Sequence, residues 1–144
     1  ATPLAMTLLD EPSPPGEPVG IYLPWQPSRL RIAGAQPHPT ALVESLAMGS
    51  IAAPKADYRP VLPAAAVADG LLSDAQLETL VYAGAAFERD LPGTFQILDE
   101  GCTLKAAPDG RQFRCGFFLG DGTGAGKGRQ IAGVMLDQWL RGNR

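Results

Sequence analysis

One stretch of this 144-residue chain combines residue types and spacing suited to anion chemistry: Gly120-Asp121-Gly122-Thr123-Gly124-Ala125-Gly126-Lys127-Gly128-Arg129. It follows the apolar run Phe117-Phe118-Leu119 and precedes Gln130-Ile131-Ala132, so the order reads strand, glycine loop, helix. A loop that wraps a polyphosphate must turn successive backbone N–H groups inward, and side chains there would block the approach. Glycines at 120, 122, 124, 126 and 128 remove that block. The helix that follows points its unpaired N–H groups and positive dipole end at the same anion, and Lys127 can reach the outer phosphates. The spacing predicts a loop that binds a nucleoside triphosphate.

The departures from the common pattern are informative. In G-x-x-x-x-G-K-[ST], Gly126 and Lys127 fit, but the first position falls on Asp121 and the last on Gly128. The hydroxyl that ordinarily ends the pattern ligates Mg²⁺, and glycine has none. Mg²⁺ is therefore expected to be held by water, phosphates and acids that the sequence does not identify. The string also contains Gly120-x-Gly122-x-x-Ala125, a loose dinucleotide fingerprint. A dinucleotide fold has no use for a lysine inside the loop, and it wants an acid about 20 residues on. A ligand-free turn is the other alternative, disfavoured because glycine weakens helices and strands unless the backbone needs it.

Positioning the loop requires elements around it. The best helix elsewhere spans Leu71 to Arg89, with Ser73 and Gln76 forming a capping box and Leu72 placed to staple onto Leu77. Leu77, Leu80, Val81 and Phe87 give it an apolar face at helical spacing. Asp99-Glu100-Gly101 and Pro108-Asp109-Gly110 are turn signals, so residues 94–119 read as a hairpin-like excursion ending in a strand from Cys115 to Leu119. The last helix is expected from about Gly126 to Leu140, with Gly142 as its stop. Thr40 is read as the cap of a short helix through Met48.

Twelve of the fourteen prolines lie at or before Pro63, and ten of the seventeen glycines at or after Gly101. Residues 1 to about 28 read as an extended linker that buries little, with Ile21-Tyr22-Leu23-Pro24-Trp25 able to dock on a partner or neighbouring domain. A net charge of −3 argues against a nucleic-acid clamp built by bulk electrostatics, though Arg29, Arg31 and Arg59 remain for local contacts. No run approaches the ~18 apolar residues of a membrane span, and no signal-peptide pattern is present. Cys102 and Cys115 read as reduced thiols, Cys115 as a small buried side chain. His38 is the only histidine, which excludes a His-based triad.

With these residues in place a resemblance can be stated. His38-Pro39-Thr40, Val43-Glu44-Ser45, Leu72-Ser73-x-x-Gln76-Leu77-Glu78, Tyr82-Ala83 and Gly116-Phe117-Phe118-Leu119-Gly120-Asp121-Gly122 resemble the N-terminal ATPase region of the Strawberry notch family. So does Gly126-Lys127-Gly128-Arg129-x-Ile131-Ala132-Gly133, whose glycine after the lysine is a mark of that family. Asp121 is similar to the acid that opens the loop in superfamily 2 motors of the chromatin-remodeller type. The style of the sequence resembles the bacterial branch, which implies a cytoplasmic protein, whereas a eukaryotic member would be nuclear.

The resemblance implies an α/β fold: part of a RecA-like P-loop NTPase domain over residues 37–144, incomplete at its C-terminus, preceded by a proline-rich linker or tail over 1–36. It implies ATP with Mg²⁺ as ligands, and nucleic acid and the remainder of the motor domain as partners of the full-length protein, with no membrane. Lys127 would contact the β and γ phosphates as the catalytic lysine. Gly122, Gly124 and Gly126 would form the cradle, and Gly120, Asp121, Thr123, Ala125 and Gly128 would complete the nucleotide-binding loop. Gln76 would be the adenine-reading glutamine or only a capping residue, and Arg129 a phosphate contact or a solvent-facing residue. The implied function is ATP binding in a helicase-like ATPase, with a non-catalytic interaction module as the alternative. Later acids and an arginine finger would be needed for turnover, so none is expected from residues 1–144 alone.

Overall fold

A computed structural model of the chain describes residues 1–27 and 29–143; the last residue of the expected 37–144 domain, Arg144, lies outside them. In chain order the elements are β1 (Thr2–Pro3), β2 (Met6–Leu8), β3 (Tyr22–Pro24), β4 (Leu30–Ile32), β5 (Val43–Ser45), α1 (Leu46–Gly49), β6 (Val61–Leu62), α2 (Ala64–Ala68), α3 (Asp74–Phe87), β7 (Phe95–Leu98), β8 (Thr103–Ala106) and α4 (Lys127–Leu140). The strands pair as four two-stranded antiparallel units: β1 with β6, β2 with β4, β3 with β5, and β7 with β8.

The proline-rich lead is more than a linker. Leu4, Met6 and Leu30 enter one core with Leu62, Leu72, Leu77, Leu80 and Val81. Its prolines stand outside the paired stretches or at their ends, which leaves short strands free to pair. Arg59 Nη1 donates to the carbonyls of Leu4 (3.2 Å) and Met6 (2.9 Å) and so fixes β1 to β2. The stretch expected to dock on a partner or neighbouring domain pairs within the chain, Tyr22–Pro24 against Val43–Ser45 of the expected 37–144 domain, with Leu23 buried and Ile21 and Tyr22 exposed.

That pairing also displaces the helix expected from Thr40. Val43-Glu44-Ser45 is extended, α1 is capped by the Ser45 hydroxyl, and Thr40 bonds to the His38 ring. A β-branched valine with a partner strand available favours the ladder over the helix.

The Ser73-x-x-Gln76 box forms in full. Ser73 Oγ accepts from the Gln76 N–H at 3.4 Å, and Gln76 Oε1 accepts from the Ser73 N–H at 3.0 Å. The α3 face of Leu77, Leu80 and Val81 is removed from water, worth about 2 kcal/mol per side chain. Phe87, at the helix end, is half-buried beneath the Arg114 guanidinium.

α4 crosses α3 closely. A side chain at Gly133 would come within 3.0 Å of Leu80 and 3.1 Å of Leu72. Its far end closes with Gly142 at φ +83°, where the Gly142 N–H reaches Trp139 O and the Asn143 N–H reaches Gln138 O, both at 3.0 Å. These are the two bonds that satisfy the last carbonyls of a helix ending in a left-handed glycine. Asp137, 2% exposed, ties α4 to β6: it accepts from the Val61 N–H (2.6 Å), from Arg141 Nε (3.0 Å) and from the Tyr58 hydroxyl.

The β7–β8 hairpin turns at Asp99-Glu100-Gly101, all three at positive φ. The strand expected over Cys115–Leu119 does not form: residues 115–122 belong to no strand, Phe118 is 90% exposed and Cys115 is only half-buried. An apolar run of this kind is stable as a strand when neighbours cover both its edges and faces, and the described strands are all paired elsewhere.

Candidate phosphate-binding loop

Residues 121–126 form a turn that enters α4 through glycine. Gly124 (φ +90°) and Gly126 (φ +81°) hold left-handed backbone, and Gly126 is the N-cap of α4. No side chain caps this helix start, and its first turn carries no acid. Of the first N–H groups, which an α-helix leaves without an i−4 partner, that of Arg129 returns to Gly126 O at 3.0 Å. Side chains built at Gly122, Gly124 and Gly128 would meet nothing within 4 Å, so this face of the loop is open.

Lys127 is folded over the loop. Its Nζ donates to Asp121 O at 2.7 Å and to Gly122 O at 3.1 Å. Thr123 is exposed at the tip of the turn, and Gly120 lies against the Phe118 ring. Arg129 points the other way and reaches the Leu71 carbonyl at 3.4 Å, ahead of α3.

Gln76 joins the loop to α3. Its Nε2 donates to Ala125 O at 3.1 Å while its Oε1 remains in the capping box. The cap reading and a loop contact therefore hold together. One amide hydrogen and one lone pair of Gln76 remain beyond these two bonds.

Sequence reading did not single out Gln130. It is 1% exposed, its Nε2 donates to Asp121 Oδ2 at 2.8 Å, and it approaches Ala125 O at 3.5 Å. The signal for it was the face it shares. Gln130, Gly133 and Asp137 recur at helical spacing and are the buried residues of α4, while Ile131, Met135 and Leu136 face outward. The helix thus buries its small and polar stripe and exposes its apolar one.

The position after Lys127, where the common pattern places its Mg²⁺-ligating hydroxyl, is glycine. Gly128 has no hydroxyl, the Asp121 carboxylate is engaged by Gln130, and no group of three His, Cys, Asp or Glu among the described residues could hold a metal. No helix among those residues is long and apolar enough to cross a membrane.

The family described as "P-loop containing NTP hydrolase pore-1" matches residues 37–144. Among curated proteins, the chain is 33% identical over 123 residues to "Protein strawberry notch" of Drosophila melanogaster, covering 85% of this chain and 6% of that one. It is 34% identical over 135 residues to "Protein FORGETTER 1" of Arabidopsis thaliana, covering 94% of this chain and 9% of that one. It is 37% identical over 123 residues to "Protein strawberry notch homolog 2" of Homo sapiens, covering 85% and 7%. The chain thus spans under a tenth of these relatives' length. No solved structure matches it.

Proposed function

The chain belongs to the Strawberry notch family, with the α/β P-loop NTPase-like fold of the NTP hydrolase pore-1 group, and on that premise we propose that its glycine loop binds the triphosphate of ATP for a helicase-like motor. One observation carries the reading. Lys127 Nζ rests on two carbonyls of an open glycine loop, at the start of a helix whose N-terminus has neither a side-chain cap nor an acid. A terminal phosphate offers that ammonium charged oxygens in place of neutral carbonyls, and charge-assisted bonds are roughly twice as strong. The same phosphate takes up the helix N–H groups and favours the dipole end.

In this proposal Gly122, Gly124, Gly126 and Gly128 form the cradle, and Thr123 and Ala125 supply backbone N–H groups. The remaining donor and acceptor of Gln76 match the N6 and N7 edge of adenine. Mg²⁺ arrives on the phosphates and is held by them and by water on this side. The outward apolar residues Phe118, Ile131 and Met135 form a surface that the rest of a motor domain would cover, and nucleic acid would engage that larger assembly.

The test is calorimetric titration of ATP into the full natural chain and its Lys127→Ala variant, with thermal melts of both. Loss of most ATP affinity at unchanged melting temperature supports the proposal. Equal binding by the two proteins overturns it.

A further inference from the structure

An acid at the first loop position is an electrostatic problem for a phosphate site, and the structure shows what restrains it. Asp121 is exposed on the loop, and a carboxylate free to swing there would add a like charge beside incoming phosphates. Its Oδ2 is instead held at 2.8 Å by Nε2 of Gln130, a side chain in the first turn of α4 that is 1% exposed. Resting on the triphosphate reading above, we propose that Gln130 is a positioning residue for the loop: it clamps the Asp121 carboxylate off the phosphate path.

Two further observations support a clamp over simple packing. Gln130 Oε1 is buried with no hydrogen-bond partner. A glutamine buried with half its amide unsatisfied is disfavoured against an aliphatic residue of similar size, so the bond that the other half makes to Asp121 is what favours glutamine here. The same Nε2 lies 3.5 Å from Ala125 O, the carbonyl that Gln76 also holds. Gln130 therefore reaches both ends of the loop, residues 121 and 125, from beneath. The Asp121 backbone carbonyl is meanwhile a resting partner of Lys127. When the lysine turns to phosphate, the carboxylate of that residue stays tethered.

The experiment is ATP titration of the full natural chain as wild type, Gln130→Ala, Asp121→Asn and the double variant, each at low and high KCl. Releasing the carboxylate in Gln130→Ala should weaken ATP by about tenfold, or about 1.4 kcal/mol. The double variant, which has no charge to restrain, should return to within about twofold of wild type. The deficit of Gln130→Ala relative to wild type should shrink at about 0.5 M KCl, because like-charge repulsion is screened and a packing defect is not. Gln130→Leu, which keeps the site filled, should show the same deficit and the same rescue. A double variant as weak as Gln130→Ala, or a deficit independent of salt, overturns the clamp. Failure of the triphosphate reading looks different: wild type and Lys127→Ala then titrate alike, whatever stands at 121 and 130.

Discussion

Gln76 Nε2 stands 2.2 Å from the point where a side-chain carbon on Gly126 would lie. The capping residue of α3 and the N-cap glycine of α4 are therefore fitted to one another, and the glycine is required twice, by its φ of +81° and by the amide beside it. Gly124 is required once: its φ is +90°, but a side chain there meets nothing within 4 Å.

These two glycines separate backbone strain from the contact with Gln76. Gly124→Ala should lower stability by the left-handed penalty alone, about 1–2 kcal/mol. Gly126→Ala should lower it further and weaken ATP, because the Gln76 amide must leave Ala125. Chemical denaturation of both variants checks the difference. Equal losses would mean that the Gln76 contact has no energetic weight.

Gln76→Glu keeps the acceptor that receives the Ser73 N–H and removes both amide hydrogens. α3 should keep its stability, since glutamate serves the capping box as well as glutamine does. ATP should weaken by about tenfold, or about 1.4 kcal/mol, and by more than GTP does, because the lost donor is the one that adenine's N7 would use. Titration with both nucleotides is the measurement. A parallel fall for ATP and GTP would assign Gln76 to the loop alone.

Glu78 gives the fold a pH dependence. Burial pushes its carboxyl up to about 7 from the usual 4.5; the Tyr82 hydroxyl pulls it down, the Asp74 and Glu44 carboxylates push it up, and Arg31 pulls it down. Tyr82 acts by proximity rather than through a bond of normal geometry: Glu78 Oε2 and the Tyr82 hydroxyl are both buried without a hydrogen-bond partner. The folded state holds the Glu78 proton more tightly than the unfolded chain does. Its stabilising effect is therefore full below pH 4.5, declines as pH rises to about 7, and is absent above. The decline amounts to about 3 kcal/mol at roughly 1.4 kcal/mol per pH unit. Glu78→Gln should abolish that slope and melt higher than wild type at alkaline pH. A wild-type melting temperature that is flat across this range would refute the assignment.

Local signals were legible because local bonds satisfy them. The box Ser73–Gln76, the stop at Gly142 and the turn at Asp99-Glu100-Gly101 each complete within a few residues, and each formed where the sequence put it. Val43–Ser45 was misread because its partner, Tyr22–Pro24, lies about twenty residues earlier in a segment whose prolines suggested no pairing. Cys115–Leu119 was misread for the opposite reason. Its apolar composition is that of a strand covered on both sides, and the described residues supply no neighbour for it. Of the loop, the left-handed turn at Gly124 and Gly126 and the start of α4 at Lys127 follow the glycine spacing. Gln130 was not legible, because apolar periodicity draws the eye to Ile131 and Met135, which face outward.

Gly128 is the position where this loop can be moved toward the common pattern. A side chain there meets nothing within 4 Å, and the residue is exposed in the first turn of α4. Gly128→Ser should therefore fold normally, and helix propensity favours serine over glycine by a few tenths of a kcal/mol. The added hydroxyl stands next to Lys127, where it can bind a cation carried by the phosphates. In wild type, omitting Mg²⁺ should change ATP affinity less than in a loop of the common pattern, because Gly128 has no hydroxyl to ligate it. In Gly128→Ser, Mg²⁺ should strengthen ATP by several-fold more than it does in wild type. Calorimetric titrations with and without Mg²⁺ decide the matter, and identical Mg²⁺ dependence in the two proteins would show that the missing hydroxyl is not what sets the metal requirement here.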